Sequence, residues 1–306
     1  GALLKLIRWP NLMIIAATMA LIRYMLIAPM LAVNEIELQQ GTLSFWLLVA
    51  STLFIAAAGN MINDYFDRDA DAVNKPEKVV VGKRISEGAV MNIYLAFNVA
   101  GLLLAVYPAL ELDMLNLILV QLVVCGLLWF YSSTFKGTAI VGNLIVATLS
   151  GLIPLLAGMY EWMYEAKKLE LYWFNFDFIW GYALFAFLLT WVREIVKDME
   201  DYQGDLSAGL STLPLIAGKG VARGMALILT IVIIICAGVV MKEQYRAADN
   251  TSFYYFLFLI QLPLTALFIM ITRAKEQREY HRASSWSKWI MVLGLLYTIV
   301  IWYSLQ

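Results

Sequence analysis

The chain has 306 residues, of which 62% are hydrophobic and 15% charged, and its formal net charge is −1. An ordinary soluble domain has about 25% charged residues and a nucleic-acid-binding domain has a basic surface, so the composition excludes both classes. Because His281 is the only histidine, the composition also excludes His-based zinc sites and Ser-His-Asp catalytic triads.

Long apolar blocks follow one another along the chain. About 20 apolar residues in a helix cross a hydrocarbon core about 30 Å thick, so each block predicts one membrane-spanning helix. We predict an all-α membrane protein with nine spans. Their ranges are about 10–32, 43–64, 88–110, 114–132, 138–160, 177–196, 220–241, 252–272 and 286–305.

The lysines and arginines are distributed unevenly between the two sides of these spans. If the N-terminus is cytoplasmic, 17 of the 22 lie on the cytoplasmic side, in the N-terminal segment and after the even-numbered spans. Cytoplasmic loops of membrane proteins carry such an excess of positive charge. The distribution predicts a multi-pass protein of the cytoplasmic membrane with its N-terminus in the cytoplasm.

Two acidic clusters lie at the cytoplasmic ends of spans two and six. They consist of Asn63, Asp64, Asp67 and Asp71, and of Asp198, Asp201 and Asp205. In both clusters the aspartates are spaced i, i+3, i+7, which places them within about 60° of one another on one helical face. Carboxylates this close repel one another unless a cation neutralises them. Oxygen ligands without His or Cys suit a hard ion such as Mg²⁺, which often binds substrate phosphates as well, so we predict a Mg²⁺-held diphosphate on the cytoplasmic side.

The matched clusters also predict the domain organisation. Spans two and six run in the same direction, which indicates a parallel repeat within a single polytopic membrane domain over residues 1–306. We expect two four-helix halves, about 1–136 and 137–273, followed by a ninth helix at about 286–305. The acidic faces of the two halves are expected to look at each other across the axis between them.

The stretch Asn63-Asp64-x-x-Asp67-x-x-x-Asp71 resembles the first aspartate-rich motif of the UbiA superfamily of intramembrane prenyltransferases. The stretch Asp198-x-x-Asp201-x-x-x-Asp205 resembles the second, and the resemblance covers the whole chain. It implies an enzyme that uses Mg²⁺ to move a prenyl group from an isoprenoid diphosphate to a lipophilic acceptor. The implied metal ligands are Asn63, Asp64, Asp67, Asp71, Asp198, Asp201 and Asp205, and the expected catalytic residues are Asp67, Asp71, Asp198, Asp201 and Asp205.

Several further residues are candidates for substrate binding. The segment Tyr131-Ser132-Ser133-x-Phe135-Lys136 is similar to a family segment whose lysine contacts phosphate, although Lys136 is also a possible interfacial anchor. The family's Arg-Pro-Ile-Pro-Ser-Gly segment after the first motif is missing, so Lys83 or Arg84 is expected to replace its arginine. Asn11 resembles a family position that faces the cavity, with a helix cap as the alternative. The full candidate set is Lys136, Tyr131, Ser132, Arg84, Lys83, Lys197, Arg193 and Asn11.

The identity of the acceptor depends on a single short motif. Asp71-x-x-Asn74-x-Pro76 looks more like the branch with digeranylgeranylglyceryl phosphate synthase and chlorophyll synthase than the 4-hydroxybenzoate branch. This favours geranylgeranylglyceryl phosphate as acceptor, with an aromatic quinone precursor as the alternative.

The non-enzyme alternative is an ion-coupled transporter. Many transporters bind ions near the midplane on broken helices, whereas these acids lie at one membrane face. The expected partners are therefore the two substrates and membrane lipid, without nucleic acid.

Overall fold

The structure, a computed structural model, describes residues 1–68, 71, 79–166 and 173–305. Most of the loop after the first acidic cluster, with Asn74 and Pro76, lies outside the described residues. The same holds for four of the lysines in the predicted loops, namely Lys75, Lys78, Lys167 and Lys168.

Within the described ranges, nine helices are long and apolar enough to cross a membrane, which confirms the predicted fold class. Numbered in chain order, the spans are Trp9–Val33, Thr42–Phe66, Glu87–Glu111, Leu115–Phe135, Val141–Glu161, Asp177–Glu200, Lys219–Arg246, Asn250–Arg273 and Gln277–Ser304. Span 9 begins earlier than the predicted residue 286. Glu276 and Glu279 form a capping box there, in which each side chain accepts a hydrogen bond from the backbone N–H of the other.

Three spans are not uniformly α-helical. Wider π-helical turns occupy Ile22–Ile27 in span 1, Tyr131–Phe135 in span 4 and Phe256–Gln261 in span 8. The α-helices with described bounds are Ala2–Leu6, Trp9–Leu21, Ala28–Val33, Thr42–Phe66, Glu87–Glu111, Ile118–Phe130, Val141–Ala166, Trp173–Glu200, Tyr202–Ser207, Leu213–Ile216, Lys219–Arg246, Asn250–Tyr255, Leu262–Arg273 and Gln277–Ser304. Span 4 opens with a 3₁₀ turn, Leu115–Leu117. The described strands are two short parallel ones, β1 (Thr138–Ala139) and β2 (Ser211–Thr212).

The chain folds into two compact units. Unit 1 comprises Gly1–Met19, Glu37–Lys136 and Met159–Tyr172, and unit 2 comprises Ala20–Ile36, Gly137–Gly158 and Trp173–Gln306. In unit 1, spans 2, 3 and 4 pack against one another, and in unit 2, span 6 packs against spans 7 and 9. The first acidic cluster belongs to unit 1 and the second to unit 2. A parallel repeat that relates the two halves of the chain stays a prediction.

Small residues set the close approach of the helices in unit 1. A Cβ atom on Gly101 of span 3 would lie 2.7 Å from Ile55 Cγ1 and 3.1 Å from the Ser51 carbonyl oxygen of span 2. A Cβ on Gly59 of span 2 would lie 2.8 Å from a Leu128 methyl carbon of span 4. Membrane helices commonly use glycine in this way to bring their backbones together.

We expect Gly101→Ala to destabilise unit 1 by about 1–3 kcal/mol, because the added methyl group overpacks a rigid helix contact. Gly126→Ala on span 4 is the matched control, since nothing lies within 4 Å of its added methyl group. Alanine's helix propensity should make that control neutral or stabilising by up to about 1 kcal/mol. Thermal unfolding in detergent measures both changes. Equal shifts for the two variants would contradict the packing explanation.

Candidate active site

The first cluster of side chains lies where span 2 ends. The helix of span 2 ends at Phe66, and Asp67 is its C-cap. Asn63, one turn earlier and buried, donates from Nδ2 to Asp67 Oδ2 at 2.7 Å. Lys136 Nζ donates to Asn63 Oδ1 at 3.2 Å and forms an ion pair with Asp67. Three of the predicted site residues are thus joined in one cluster within unit 1.

The route of span 4 explains how Lys136 reaches Asp67. Its last turn is π-helical, and the Lys136 N–H bonds to the Tyr131 carbonyl oxygen at 2.8 Å. Such turns shift the side chains that follow them and occur often at functional sites. Asp67 is eight residues beyond Gly59, and Lys136 is eight residues beyond Leu128, the pair at the close contact of spans 2 and 4. Because spans 2 and 4 run parallel, the same register that places Gly59 against Leu128 also places Asp67 against Lys136.

A second basic residue, Arg8, meets the first cluster from the N-terminal segment. One of its terminal nitrogens lies 2.6 Å from Asp64 Oδ1. Burial lowers the pKa of the Arg8 guanidinium, but the Asp64 and Asp67 carboxylates more than offset this, so the pKa is raised above its ordinary value. Arg8 therefore stays charged beside the motif. In the sequence, Arg8 is one of the positive charges that indicate the membrane orientation, and its contact with the motif was not predicted. The proline at position 10 was a signal that the helix breaks near Arg8.

Three further candidates lie beyond the end of span 2, near the end of span 4 and in span 1. Asp71 is half-buried one turn beyond Asp67, and its N–H bonds to the Asp67 carbonyl oxygen at 2.8 Å. Ser132 is buried and donates its hydroxyl to the Leu128 carbonyl at 2.9 Å, so its hydrogen is used within its own helix. Asn11 is exposed in the first turn after the helix break.

Lys83 and Arg84 lie at the exposed tip of a tight turn before span 3. The Arg84 N–H bonds to the Val80 carbonyl at 2.8 Å, and Gly82 has a φ of 78°, a left-handed conformation that favours glycine. Val80 is buried in unit 1 at the base of this turn. The turn therefore presents two cations at the surface of the unit that carries the first motif.

The second cluster is in unit 2, where span 6 ends. Asp198 Oδ2 accepts a hydrogen bond of 2.8 Å from Nδ2 of Asn143, a buried amide in the first turn of span 5. Asp201 separates the helix of span 6 from a short helix, and the Asp205 N–H bonds to the Asp201 carbonyl at 3.0 Å. The carboxylates of Glu194 and Asp205 are close enough to repel that of Asp198.

The two cations predicted beside this cluster share one partner. Arg193 forms an ion pair with Glu194, and Lys197 Nζ lies 4.0 Å from Glu194 Oε2. Glu194 is only 6% exposed, and a carboxylate this buried needs cationic partners to offset its lost hydration. Neither Glu194 nor Asn143 was a sequence candidate. The available signals were the position of Glu194 between Arg193 and Lys197, and the single amide of Asn143 in the apolar start of span 5.

The donor atoms of these clusters fit Mg²⁺. In the part of the chain that the structure describes, no three His, Cys, Asp or Glu side chains form a preformed metal site. Mg²⁺ does not need one, because it is usually held by one or two carboxylates together with water and substrate phosphates. In unit 1 a cation, the Lys136 ammonium, already lies against the oxygens of Asn63 and Asp67. Oxygen donors that attract a cation are the ligands that suit Mg²⁺.

Comparison with known proteins identifies the chain's family. The sequence model of the UbiA prenyltransferase family matches residues 11–293. The chain belongs to this family. It is a multi-pass membrane prenyltransferase, and family membership decides against the transporter alternative.

Two similar proteins carry the same name. The chain is 31% identical over 288 residues to the digeranylgeranylglyceryl phosphate synthase of Methanothermobacter thermautotrophicus, which covers 92% of this chain and 90% of that protein. It is 33% identical over 219 residues to the synthase of the same name from Methanothrix thermoacetophila, which covers 70% of this chain and 74% of that protein.

Solved structures of UbiA proteins confirm the fold. A structure from work on digeranylgeranylglyceryl phosphate synthase in membranes matches with a TM-score of 0.69 at 23% identity, and covers 99% of this chain and 98% of that one. A UbiA homologue from Archaeoglobus fulgidus bound to GPP and Mg²⁺ matches with a TM-score of 0.59 at 17% identity. The match covers 98% of this chain and 100% of that one. At these identities the likeness concerns the fold alone.

Proposed function

We propose that this prenyltransferase moves a geranylgeranyl group from geranylgeranyl diphosphate to geranylgeranylglyceryl phosphate, and that the reaction depends on Mg²⁺. The observation that carries the proposal is the relative at 31% identity over 92% of this chain, a digeranylgeranylglyceryl phosphate synthase. A product with two geranylgeranyl groups on one glyceryl phosphate forms when the second group is added to an acceptor that already carries the first.

The two acidic motifs supply the residues that this reaction needs. Asn63, Asp67 and Asp71 in unit 1, and Asp198, Asp201 and Asp205 in unit 2, would hold Mg²⁺. When bound, the metal neutralises negative charge that develops on the leaving diphosphate. Lys136 lies beside Asp67 and supplies a further positive charge for phosphate oxygens. Arg193 and Lys197 offer the same charge near the second motif.

The bond changes follow from the substrates. The bond between the allylic carbon and the diphosphate oxygen breaks, and the electron pair leaves with the diphosphate. The acceptor's glyceryl hydroxyl forms the new carbon–oxygen bond, and its proton passes to the released diphosphate. Because water would compete with the hydroxyl, the reacting carbon must be kept dry, which a site built among apolar spans provides.

The test is prenyl transfer by the detergent-purified protein with Mg²⁺ and labelled geranylgeranyl diphosphate. The acceptor panel contains geranylgeranylglyceryl phosphate, an aromatic acid, a tetrapyrrole and a sugar phosphate. We expect an ether product with geranylgeranylglyceryl phosphate alone, and its loss when EDTA is added. Transfer to the aromatic acid instead would overturn the proposed acceptor. An absence of transfer to any acceptor would overturn the proposed reaction.

We also infer that both motifs face the cytoplasm, as the excess of Lys and Arg on that side supports. Cysteines placed one at a time at the exposed positions Lys83 and Lys242 test this, with Cys125 and Cys236 replaced by serine. A membrane-impermeant thiol reagent added to intact cells should label position 242 alone. Labelling of position 83 alone would reverse the orientation.

A further inference from the structure

The N-terminal segment contains a helix break with a defined cause. The helix Ala2–Leu6 ends and a new helix begins at Trp9. In a continuous helix the Pro10 ring would clash with the Leu6 carbonyl, and its nitrogen has no hydrogen to donate. Between the two helices Arg8 adopts a φ of 52°, a left-handed conformation that is costly for a residue with a side chain.

Asn60 of span 2 holds this break in place. The break removes the helical partner of the Ile7 carbonyl, since the Asn11 N–H bonds to the Arg8 carbonyl instead, at 2.8 Å. Asn60 Nδ2 donates to the Ile7 carbonyl oxygen at 2.9 Å. Leu6, fully buried, packs in the same core as Met61 of span 2. Span 2 therefore fixes the backbone on which Arg8 depends.

The same face of span 2 also binds the Arg8 side chain. Asn60 and Asp64 are one helical turn apart, so one bonds the backbone before Arg8 while the other accepts its guanidinium at 2.6 Å. Asn63 and Asp67 form the neighbouring pair, rotated by about 60° on the helix, and contact Lys136. The end of span 2 thus has two adjacent faces, one that contacts Arg8 and one that contacts Lys136.

We propose that Arg8 is a positioning residue for the first aspartate motif and that Asn60 fixes Arg8 for this role. Through Asp64, Arg8 orients the end of span 2 so that the oxygens of Asn63 and Asp67 are presented to Mg²⁺. Asp64 then serves as the anchor of Arg8 rather than as a metal ligand. The part of this inference that concerns Mg²⁺ rests on the proposed function.

The first experiment measures binding of a non-reactive thio analogue of geranylgeranyl diphosphate as Mg²⁺ is titrated. We expect Arg8→Gln and Asn60→Leu each to raise the Mg²⁺ concentration for half-maximal binding about tenfold, as outer-shell changes at metal sites do. Arg8→Lys should recover most of the loss. Asn98→Leu is the matched control, because Asn98 also donates to a carbonyl, that of Tyr94, at 3.0 Å on span 3. A merely structural role would leave the half-saturating concentration unchanged.

The second experiment needs no metal. In a double-mutant cycle on the thermal midpoint, Arg8→Gln and Asp64→Asn should be non-additive, because they remove the same contact. In the Asn60→Leu background the two changes should become additive. Additivity in both backgrounds, or an unchanged Mg²⁺ requirement in variants of a protein that binds the analogue, would overturn the inference. Absence of Mg²⁺-dependent binding in the unmodified protein would instead contradict the proposed function, and the cycle would still decide whether Asn60 fixes Arg8 on Asp64.

Discussion

Replacing Asp67 by alanine is expected to lower the rate of prenyl transfer by about 10³-fold, the scale of losing a group that stabilises developing charge in a transition state. Asp67 accepts hydrogen bonds from both Asn63 and Lys136, so its removal takes away a proposed Mg²⁺ ligand and releases the lysine. The Asp67→Asn variant keeps the shape of the side chain without its charge, and we expect it to lose nearly as much activity.

Steady-state kinetics at saturating Mg²⁺ measures this effect, and Glu243→Ala is the control. Glu243 is exposed and forms a surface ion pair with Arg246 at 3.0 Å, so its loss should change the rate little. Lys136→Gln should also be strongly impaired. Its combination with Asp67→Ala should be far from additive, because the two side chains act as one unit. If Asp67→Ala retains more than about a tenth of the activity, which is only about 1.4 kcal/mol of barrier, Asp67 does not hold the metal.

The second large effect is expected at Asp198, where alanine should also reduce transfer by about 10³-fold. The carboxylate is a proposed Mg²⁺ ligand, and Asn143 orients it with a hydrogen bond of 2.8 Å. Removal of the carboxylate leaves the buried Asn143 amide without this acceptor, so the variant should also lose about 1–3 kcal/mol of stability. Replacing Asn143 by leucine leaves the carboxylate in place but unoriented, and we expect a smaller loss of activity, about 10–100-fold.

Thr190→Val is the matched control for Asn143→Leu. Thr190 Oγ1 donates to Ser150 Oγ at 2.9 Å, so it joins spans 5 and 6 as Asn143 and Asp198 do, but about two turns farther from the acidic cluster. Both variants lose one hydrogen bond between the same helices, and their thermal midpoints should fall by similar amounts. Only Asn143→Leu should raise the Mg²⁺ requirement. An unchanged requirement in that variant would show that Asn143 supports the fold and not the metal site.

The span pattern was predictable because hydropathy acts locally. Each stretch of about 20 apolar residues must cross the bilayer as a helix whatever the rest of the chain does. The errors lie at the ends, where capping decides. Span 9 extends to Gln277 because of the capping box at Glu276, which hydropathy does not register. The π-helical turn at Tyr131–Phe135 also left no mark in the apolar pattern, although it places Lys136.

The nine-span class, the two acidic motifs and their oxygen donors can be predicted from the amino-acid sequence, since helical periodicity and side-chain chemistry depend on residues close together in the chain. The partner of each carboxylate, in contrast, depends on how distant helices pack. Asp67 meets Lys136 from 69 positions away, Asp64 meets Arg8 from 56, and Asp198 meets Asn143 from 55. These pairings depend on the register between packed helices and on a helix break at Arg8, and no local pattern specifies them.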